Sequence, residues 1–280
     1  MNIAIYLRNE DLLKEKRVVK MLSELKADSH QLSYIKYGED HHSLAGIDKI
    51  LSIGGDGTFL SAASLIADSG VPILGVNLGR VGFLSENTPE VVLEALRTGS
   101  YSIEERQILE IKGAPTTSEF NWPYALNEVA LHRGKASILG VDVVVDGITL
   151  PTYWADGLLV ATSAGSTAYS LSAGGPIVMP SAKVLILTPI APHNLNVRPL
   201  IFPDTSEIKL KIRSREGKAC FSADNRNCEI GENDVIHISL ARFSLKRVRP
   251  DKSHFITALS EKLFWGEDMR NNYTNYDDKN

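Results

Sequence analysis

The chain has 280 residues, 43% of them hydrophobic and 23% charged, with a formal net charge of -4 and a pI near 6.0. This allows one large domain or two ordinary ones with a real core, and it argues against nucleic acid as a partner, because phosphate-backbone binding draws on clustered Lys and Arg. No apolar run reaches the roughly 20 residues that span a bilayer, and the start lacks a secretory pattern. Two cysteines, Cys220 and Cys228, are too few for a disulfide scaffold or a zinc site, so a cytoplasmic chain with reduced thiols and no membrane partner is expected.

The first hundred residues alternate strand and helix patterns. Ile3 to Leu7 is a short β-branched run suited to a buried strand, and Asp11 to Leu25 places Leu12, Val18, Val19, Leu22 and Leu25 near one helical face. Strands are expected at Leu32 to Tyr37, Ile50 to Ile53 and Val71 to Val76, with a helix from Phe59 to Ala67. Thr88-Pro89 marks a helix start, Thr as N-cap and Pro at the first helical position, and Gly99 marks its end. Alternation of this kind predicts a parallel sheet covered by helices.

Past Tyr101 the pattern turns to short strands. Val141 to Val145, Asp146-Gly147 and Ile148 to Leu150 form a hairpin with a type I′ signal. Further strands are expected at Glu207 to Ile212, Ala219 to Ser222, Val235 to Ser239 and Phe243 to Val248, and only Ser166 to Ala173 reads as helical. Near the end, Phe255, Leu259, Leu263 and Phe264 share a helical face that stops at Gly266. The expected organisation is an α/β domain over 1–100, a β-rich domain over 101–249, a helix within 250–266 that must dock its apolar face, and a frayed tail over 267–280.

Three constellations carry chemistry. Gly54-Gly55-Asp56-Gly57-Thr58 follows an apolar strand and opens a helix. Glycines there let the backbone approach a phosphate, and a helix N-terminus offers free N–H groups. A carboxylate inside such a loop repels phosphate, so Asp56 suggests a metal-bridging or proton-accepting task near a hydroxyl; a tight turn whose Asp caps the helix is the plain alternative. The second is Asp156-Gly157 and the run Gly165-Ser166-Thr167-Ala168-Tyr169-Ser170-Leu171-Ser172. Thr167 can serve as a simple N-cap, while Tyr169 and Ser172 lie three apart and can present hydroxyls and a ring to a ligand. The third is Asn127-Glu128, which interrupts a strand from Tyr124 to Leu131. An adjacent amide and carboxylate can accept from both hydroxyls of a ribose, although such a pair is often just a solvated strand end. His41 and His42 read as surface residues, and His193 as structural.

Taken together, these elements resemble the NAD kinase family over nearly the whole chain: GGDGTFL at Gly54 to Leu60, Asn127-Glu128, Ala155-Asp156-Gly157, GSTAYSLSAGGPIV at Gly165 to Val178, and TPIAPHNLNVRPL at Thr188 to Leu200. GGDGT alone is shared with lipid kinases and phosphofructokinases; the later elements are not. The resemblance implies a Rossmann-like α/β domain, a β-rich domain and a C-terminal segment that returns to the first domain. It implies transfer of a phosphoryl group from ATP, or another donor, to the adenosine-ribose 2′-hydroxyl of NAD. Asp56 would be the catalytic carboxylate. Gly57, Phe83, Asn127, Glu128, Asp156, Thr167, Ala168, Tyr169, Ser172, Ala191 and Arg226 would bind NAD, and Gly54, Gly55 and Thr58 would face the donor phosphates. A divalent cation, magnesium or manganese, and a homodimer or homotetramer are implied as well. A lipid kinase of the diacylglycerol or sphingosine type and a catalytically silent nucleotide-binding regulator are the competing readings.

The chain departs from the family pattern in three places. Thr162-Ser163-Ala164 stands where Thr-Pro-Thr is usual, and Trp154 where a basic residue is often found. Asp224-Asn225-Arg226 replaces Asp-Gly-Gln or Asp-Gly-Arg; Asn is expected to keep that turn because it tolerates the left-handed conformation.

Overall fold

A computed structural model describes residues 1–36, 44–66, 68–79, 82–117, 120–263 and 265. His41, His42, Tyr37, Ala67, Phe264 and the expected tail lie outside these residues. The chain separates into two compact units, Met1–Phe59 with Ile73–Ile103 and Val248–Asn280, and Leu60–Pro72 with Glu104–Arg247.

The first unit is built on a six-stranded sheet in the order Gln31–Lys36, Asn2–Leu7, Lys49–Ile53, Ile73–Val76, Leu245–Pro250, Tyr101–Arg106. Its first four strands pair in parallel, as their apolar runs and intervening helices require. The fifth strand is unexpected. The sequence pattern puts the Phe243 to Val248 run in the β-rich part, yet its strand spans Leu245–Pro250 and lies beside Ile73–Val76. A short apolar run does not encode which sheet it joins.

Helix Lys16–Ala27 buries Val18, Met21, Leu22 and Leu25, while Val19 is 49% exposed and Leu12 falls in a separate 3₁₀ turn, Glu10–Lys14. Glu15 divides the two by capping the helix through its side chain, which accepts from Arg17 N–H. Helix Pro89–Thr98 matches its sequence signals: Thr88 accepts from Val91 N–H and Gly99 takes the left-handed conformation at φ 72°.

The C-terminal helix, Phe255–Leu263, buries Ala258 and Leu259 but leaves Leu263 38% exposed, contrary to expectation. At about 100° per residue, Lys262 falls nearer Phe255 than Leu263 does. Lys262 takes that inner position, with its ammonium 3.9 Å from the centre of the Phe83 ring.

The second unit holds two antiparallel sheets. One runs Ile148–Thr149, Leu139–Val145, Ile208–Arg213, Val235–Leu240, Leu109–Lys112, Tyr124–Ala125, with Tyr153–Ala155 also on the Leu139–Val145 strand. The other runs Leu200–Pro203, Val184–Ile190, Gly157–Thr162, Glu128–Arg133, Lys218–Ala223, Arg226–Gly231. Their inner faces merge in one cluster that includes Val141, Val143, Leu210, Ile238, Val129, Leu131, Val160 and Phe221. The hairpin turn at Asp146-Gly147 has φ values of 51° and 81°, which a type I′ turn requires. Cys220 pairs with Glu229 and Cys228 with Phe221, so strand alternation puts the two thiols on opposite faces.

Candidate active site

In the first unit, strand Lys49–Ile53 ends at Gly54, whose φ of 147° and whose clearance from the Thr58 side chain exclude a Cβ. Helix Asp56–Ile66 begins at once. Among the described residues, nothing lies within 4 Å of where a Cβ would stand on Gly55 or Gly57, so a ligand can approach this turn closely.

The Asp56 carboxylate does not cap its own helix. It accepts N–H groups from Phe83 (2.8 Å), Leu84 (3.1 Å) and Ser85 (2.8 Å). The loop sits so close that a Cβ on Gly82 would lie 1.8 Å from Asp56 Oδ1. The Ser85 hydroxyl donates to Gly54 O at 2.6 Å, which ties the loop to the glycine turn from the other side. Behind it, the Phe83 ring faces Phe255 at 6.0 Å, and Lys262 donates to Gly82 O.

In the second unit, the expected interruption at Asn127-Glu128 is a crossing between sheets: Tyr124–Ala125 belongs to one and Glu128–Arg133 to the other. Alternation sends Val129 and Leu131 into the sandwich core and puts Glu128, Ala130 and His132 on the outer face. That face is covered by the Gly165 to Ser172 segment, a 3₁₀ turn, Ala164–Thr167, followed by the single helical turn Tyr169–Ser172. The expected continuous helix is broken at Ala168, which has φ -99° and ψ -130°. Thr167 does not cap that turn; its hydroxyl donates to Ala164 O. A Cβ on Gly165 would stand 2.1 Å from Asn127 O, so only glycine lets this turn lie on the sheet crossing. Thr162 fastens the same place, donating to Leu126 O and accepting from Gly165 N–H.

Tyr169 is the centre of this face. Its ring stacks on His132 at 5.4 Å with 19° between planes, and its backbone N–H favours the charged form of the Glu128 carboxyl. Asp156 pairs with Arg133 through both carboxylate oxygens, at 2.9 and 3.1 Å. Ser172 is exposed, as is Ala191, which adopts a left-handed φ of 45° at the end of strand Val184–Ile190. That conformation is unusual for a residue with a Cβ.

Asn127 and Glu128 are 7% and 8% exposed, and Asn127 Oδ1 and Glu128 Oε2 are buried acceptors with no partner among the described residues. Buried acceptors are normally satisfied, so this pair suits a ligand that brings hydroxyl donors. Burial, with the Asp224 charge added, pushes the Glu128 carboxyl up to about 8. Asp224 is buried as well, and burial raises it too. Three backbone N–H groups and Arg226 favour its charged form. The negative charge therefore rests on Asp224 and the shared proton on Glu128.

Comparison with known proteins fits both halves. The ATP-NAD kinase N-terminal domain family matches residues 5–101, and the ATP-NAD kinase C-terminal domain family matches residues 126–250. The chain belongs to the NAD kinase family. It is 38% identical over 268 residues to an NAD kinase of Flavobacterium psychrophilum, covering 94% of this chain and 90% of that one. It is 42% identical over 227 residues to an NAD kinase of Bacteroides fragilis, covering 80% and 78%. Among solved structures it is similar to yeast NADH kinase complexed with NADH, with a TM-score of 0.82, 27% identity and coverage of 96% and 89%. It is also similar to an NAD kinase from Archaeoglobus fulgidus in complex with ATP, with a TM-score of 0.75, 28% identity and coverage of 90% and 95%. A lipid kinase is not favoured, because the match runs through both domains.

As an NAD kinase, the chain shows several residues that the motif reading passed over. Gly82 looked like any loop glycine, although it is what lets the loop close on Asp56. His132 and Arg133 sit in a strand whose period hides their partners Tyr169 and Asp156. In the sequence Asp224 is visible only as part of a turn; the structure buries it against Asn127 and Glu128. The Arg226 guanidinium, an expected NAD contact, donates to Trp122 O and Tyr124 O and lies over the Phe120 and Trp122 rings.

Proposed function

We infer that this chain carries out its family's reaction, moving the terminal phosphoryl group of ATP onto the adenosine-ribose 2′-hydroxyl of NAD to give NADP. The observation that carries this reading is the pair of unsatisfied buried acceptors at Asn127 and Glu128, set in the second domain of an NAD kinase. Phosphoryl transfer asks the protein mainly for positioning and charge stabilisation.

The two units supply different parts of that task. In the first, Asp56 is the carboxylate that accepts or orients the 2′-hydroxyl proton. A carboxylate offers about four acceptor positions, and three are taken by loop amides, which fixes its orientation and leaves one for the hydroxyl. Gly54, Gly55 and Thr58 face the donor phosphates at the start of helix Asp56–Ile66, where the helix dipole favours negative charge, and Gly57 and Phe83 meet the NAD. In the second, Asn127 and Glu128 hold the ribose, Asp156 and the Thr167 to Ser172 segment surround the adenine half, and Ala191 lines the same pocket.

Among the described residues, no group of three or more His, Cys, Asp or Glu side chains converges as a metal site. Magnesium or manganese arriving on the donor phosphates would neutralise their charge, since magnesium is commonly held by one or two carboxylates plus substrate phosphates.

We place the enzyme in the cytoplasm as a homodimer or homotetramer, for which light scattering should give at least twice the 30.7 kDa chain mass. Incubation with NAD and ATP, followed by a coupled assay for NADP, tests the activity. NADP formation is expected, and its absence with both substrates and magnesium present would overturn the reading in favour of a silent nucleotide-binding protein.

A further inference from the structure

The hairpin turn joining Lys218–Ala223 to Arg226–Gly231 bonds mainly to a distant segment. Asp224 Oδ2 accepts from Leu126 N–H at 2.8 Å, and Asp224 Oδ1 accepts from Asn127 N–H at 2.8 Å and from Glu128 N–H at 3.3 Å. Arg226 donates to Trp122 O and Tyr124 O. The two side chains barely meet each other, with Arg226 Nη2 4.0 Å from Asp224 Oδ2. Side-chain exposures are 2% for Asp224 and 13% for Arg226. The left-handed step of the turn falls on Asp224 itself, at φ 50°, and not on Asn225. Asn225 therefore needs none of the tolerance expected of it, and the Asp224 side chain is swung toward the sheet crossing.

We propose that the Asp224–Arg226 turn is the positioning device for Asn127 and Glu128: Asp224 holds the N–H groups of Leu126, Asn127 and Glu128, and Arg226 holds the carbonyls of Trp122 and Tyr124. The proposal rests on Asn127 and Glu128 being the residues that hold NAD. A turn with a merely structural role would bond within its own hairpin; these bonds instead reach 96 to 104 residues back along the chain. They fall on the one place where the chain must leave one sheet and enter the other, where no ladder can fix the backbone. Two buried carboxyls near each other do not both ionise readily. The groups facing Glu128 are Asp224, the Tyr169 N–H and the Tyr169 hydroxyl, which the Glu128 charge raises, with Arg226 acting on Asp224. Asp156 bears on Tyr169 and is paired with Arg133.

The test uses Asp224→Asn and Arg226→Lys in the full-length enzyme. NAD and ATP affinities are measured by calorimetry, the NAD titration is repeated across pH, and NADP formation by the unmodified enzyme is scored separately. Asn cannot offer acceptors to three amides, so Asp224→Asn should weaken NAD binding roughly tenfold or more with ATP binding little changed. It should also move the Glu128-controlled inflection, near pH 8 in the unmodified enzyme, down by about one unit or more. Arg226→Lys keeps the charge and loses the two-carbonyl fork, so NAD binding should weaken while the inflection stays. If Asp224→Asn does not fold, Arg226→Lys carries the test alone. Unchanged NAD affinity, or equal losses for NAD and ATP, would overturn the proposal. An unmodified enzyme that forms no NADP would instead overturn the functional reading beneath it.

Discussion

In the first unit the Asp56 carboxylate accepts backbone N–H groups from Phe83, Leu84 and Ser85; in the second, Asp224 accepts them from Leu126, Asn127 and Glu128. The two clamps bind the same number of amides, and their surroundings differ. Asp56 is partly exposed, between glycines whose backbone borders open space. Asp224 is sealed beneath the segment it holds, with 2% of its side chain exposed. Hydrogen bonding alone therefore does not separate a reacting carboxylate from a supporting one. Access does: Asp56 is partly exposed, as the proposed role beside a substrate hydroxyl requires, while Asp224 can act only through the backbone and the neighbouring Glu128.

The largest effect short of removing either carboxylate should come from Gly82→Ala. Its methyl carbon would stand 1.8 Å from Asp56 Oδ1, so the loop must move and Asp56 must lose its orientation. Turnover should fall by about 10², the scale of a misplacement near 1 Å, whereas Gly79→Ala, which meets open space, should leave it unchanged. Steady-state kinetics on the pair decides this, and equal rates would mean that the loop does not orient Asp56.

A smaller effect should follow from Tyr169→Ala. The ring stacked on His132 belongs to the second unit, which is proposed to hold NAD. NAD binding should weaken by roughly tenfold, with ATP binding nearly unaffected. Equal losses for the two ligands would blur the division between the units.

The subtlest difference is one of protonation. Glu128 binds its proton more tightly in the folded protein, near 8, than at its ordinary 4.5. The folded state is therefore favoured in full below pH 4.5, and that advantage is lost as pH rises through about 8. Glu128→Gln removes the titration, so its unfolding midpoint should hold up better than that of the unmodified protein between pH 6 and pH 9. Parallel pH dependence in the two proteins would show that Glu128 ionises freely in the fold.

Much of this was legible in the chain itself. The glycine turn, the Thr88 cap, the type I′ hairpin and the break at Asn127-Glu128 are local features, written in a few adjacent residues, and the structure contains each of them. What was not legible depends on partners far along the chain. The strand Leu245–Pro250 joins the first sheet because of where the fold returns it, which its own alternation does not record. Lys262 displaced Leu263 from the inner helix face because the Phe83 ring and Gly82 carbonyl were waiting there. The same distance hid Asp56 as a loop clamp: its amides come from 27 to 29 residues away.

Asp56→Asn tests the account most directly. An amide has one acceptor oxygen where the carboxylate has two, so the variant should lose some loop stability, about 1–3 kcal/mol for amides left unsatisfied, and folding must be checked by thermal melts. On folded protein, with NAD affinity measured by calorimetry in the same preparation, turnover to NADP should drop by about 10²–10⁴ while NAD still binds. Near-normal turnover would contradict the account and leave Asp56 as a second Asp224, a carboxylate that holds backbone and nothing else.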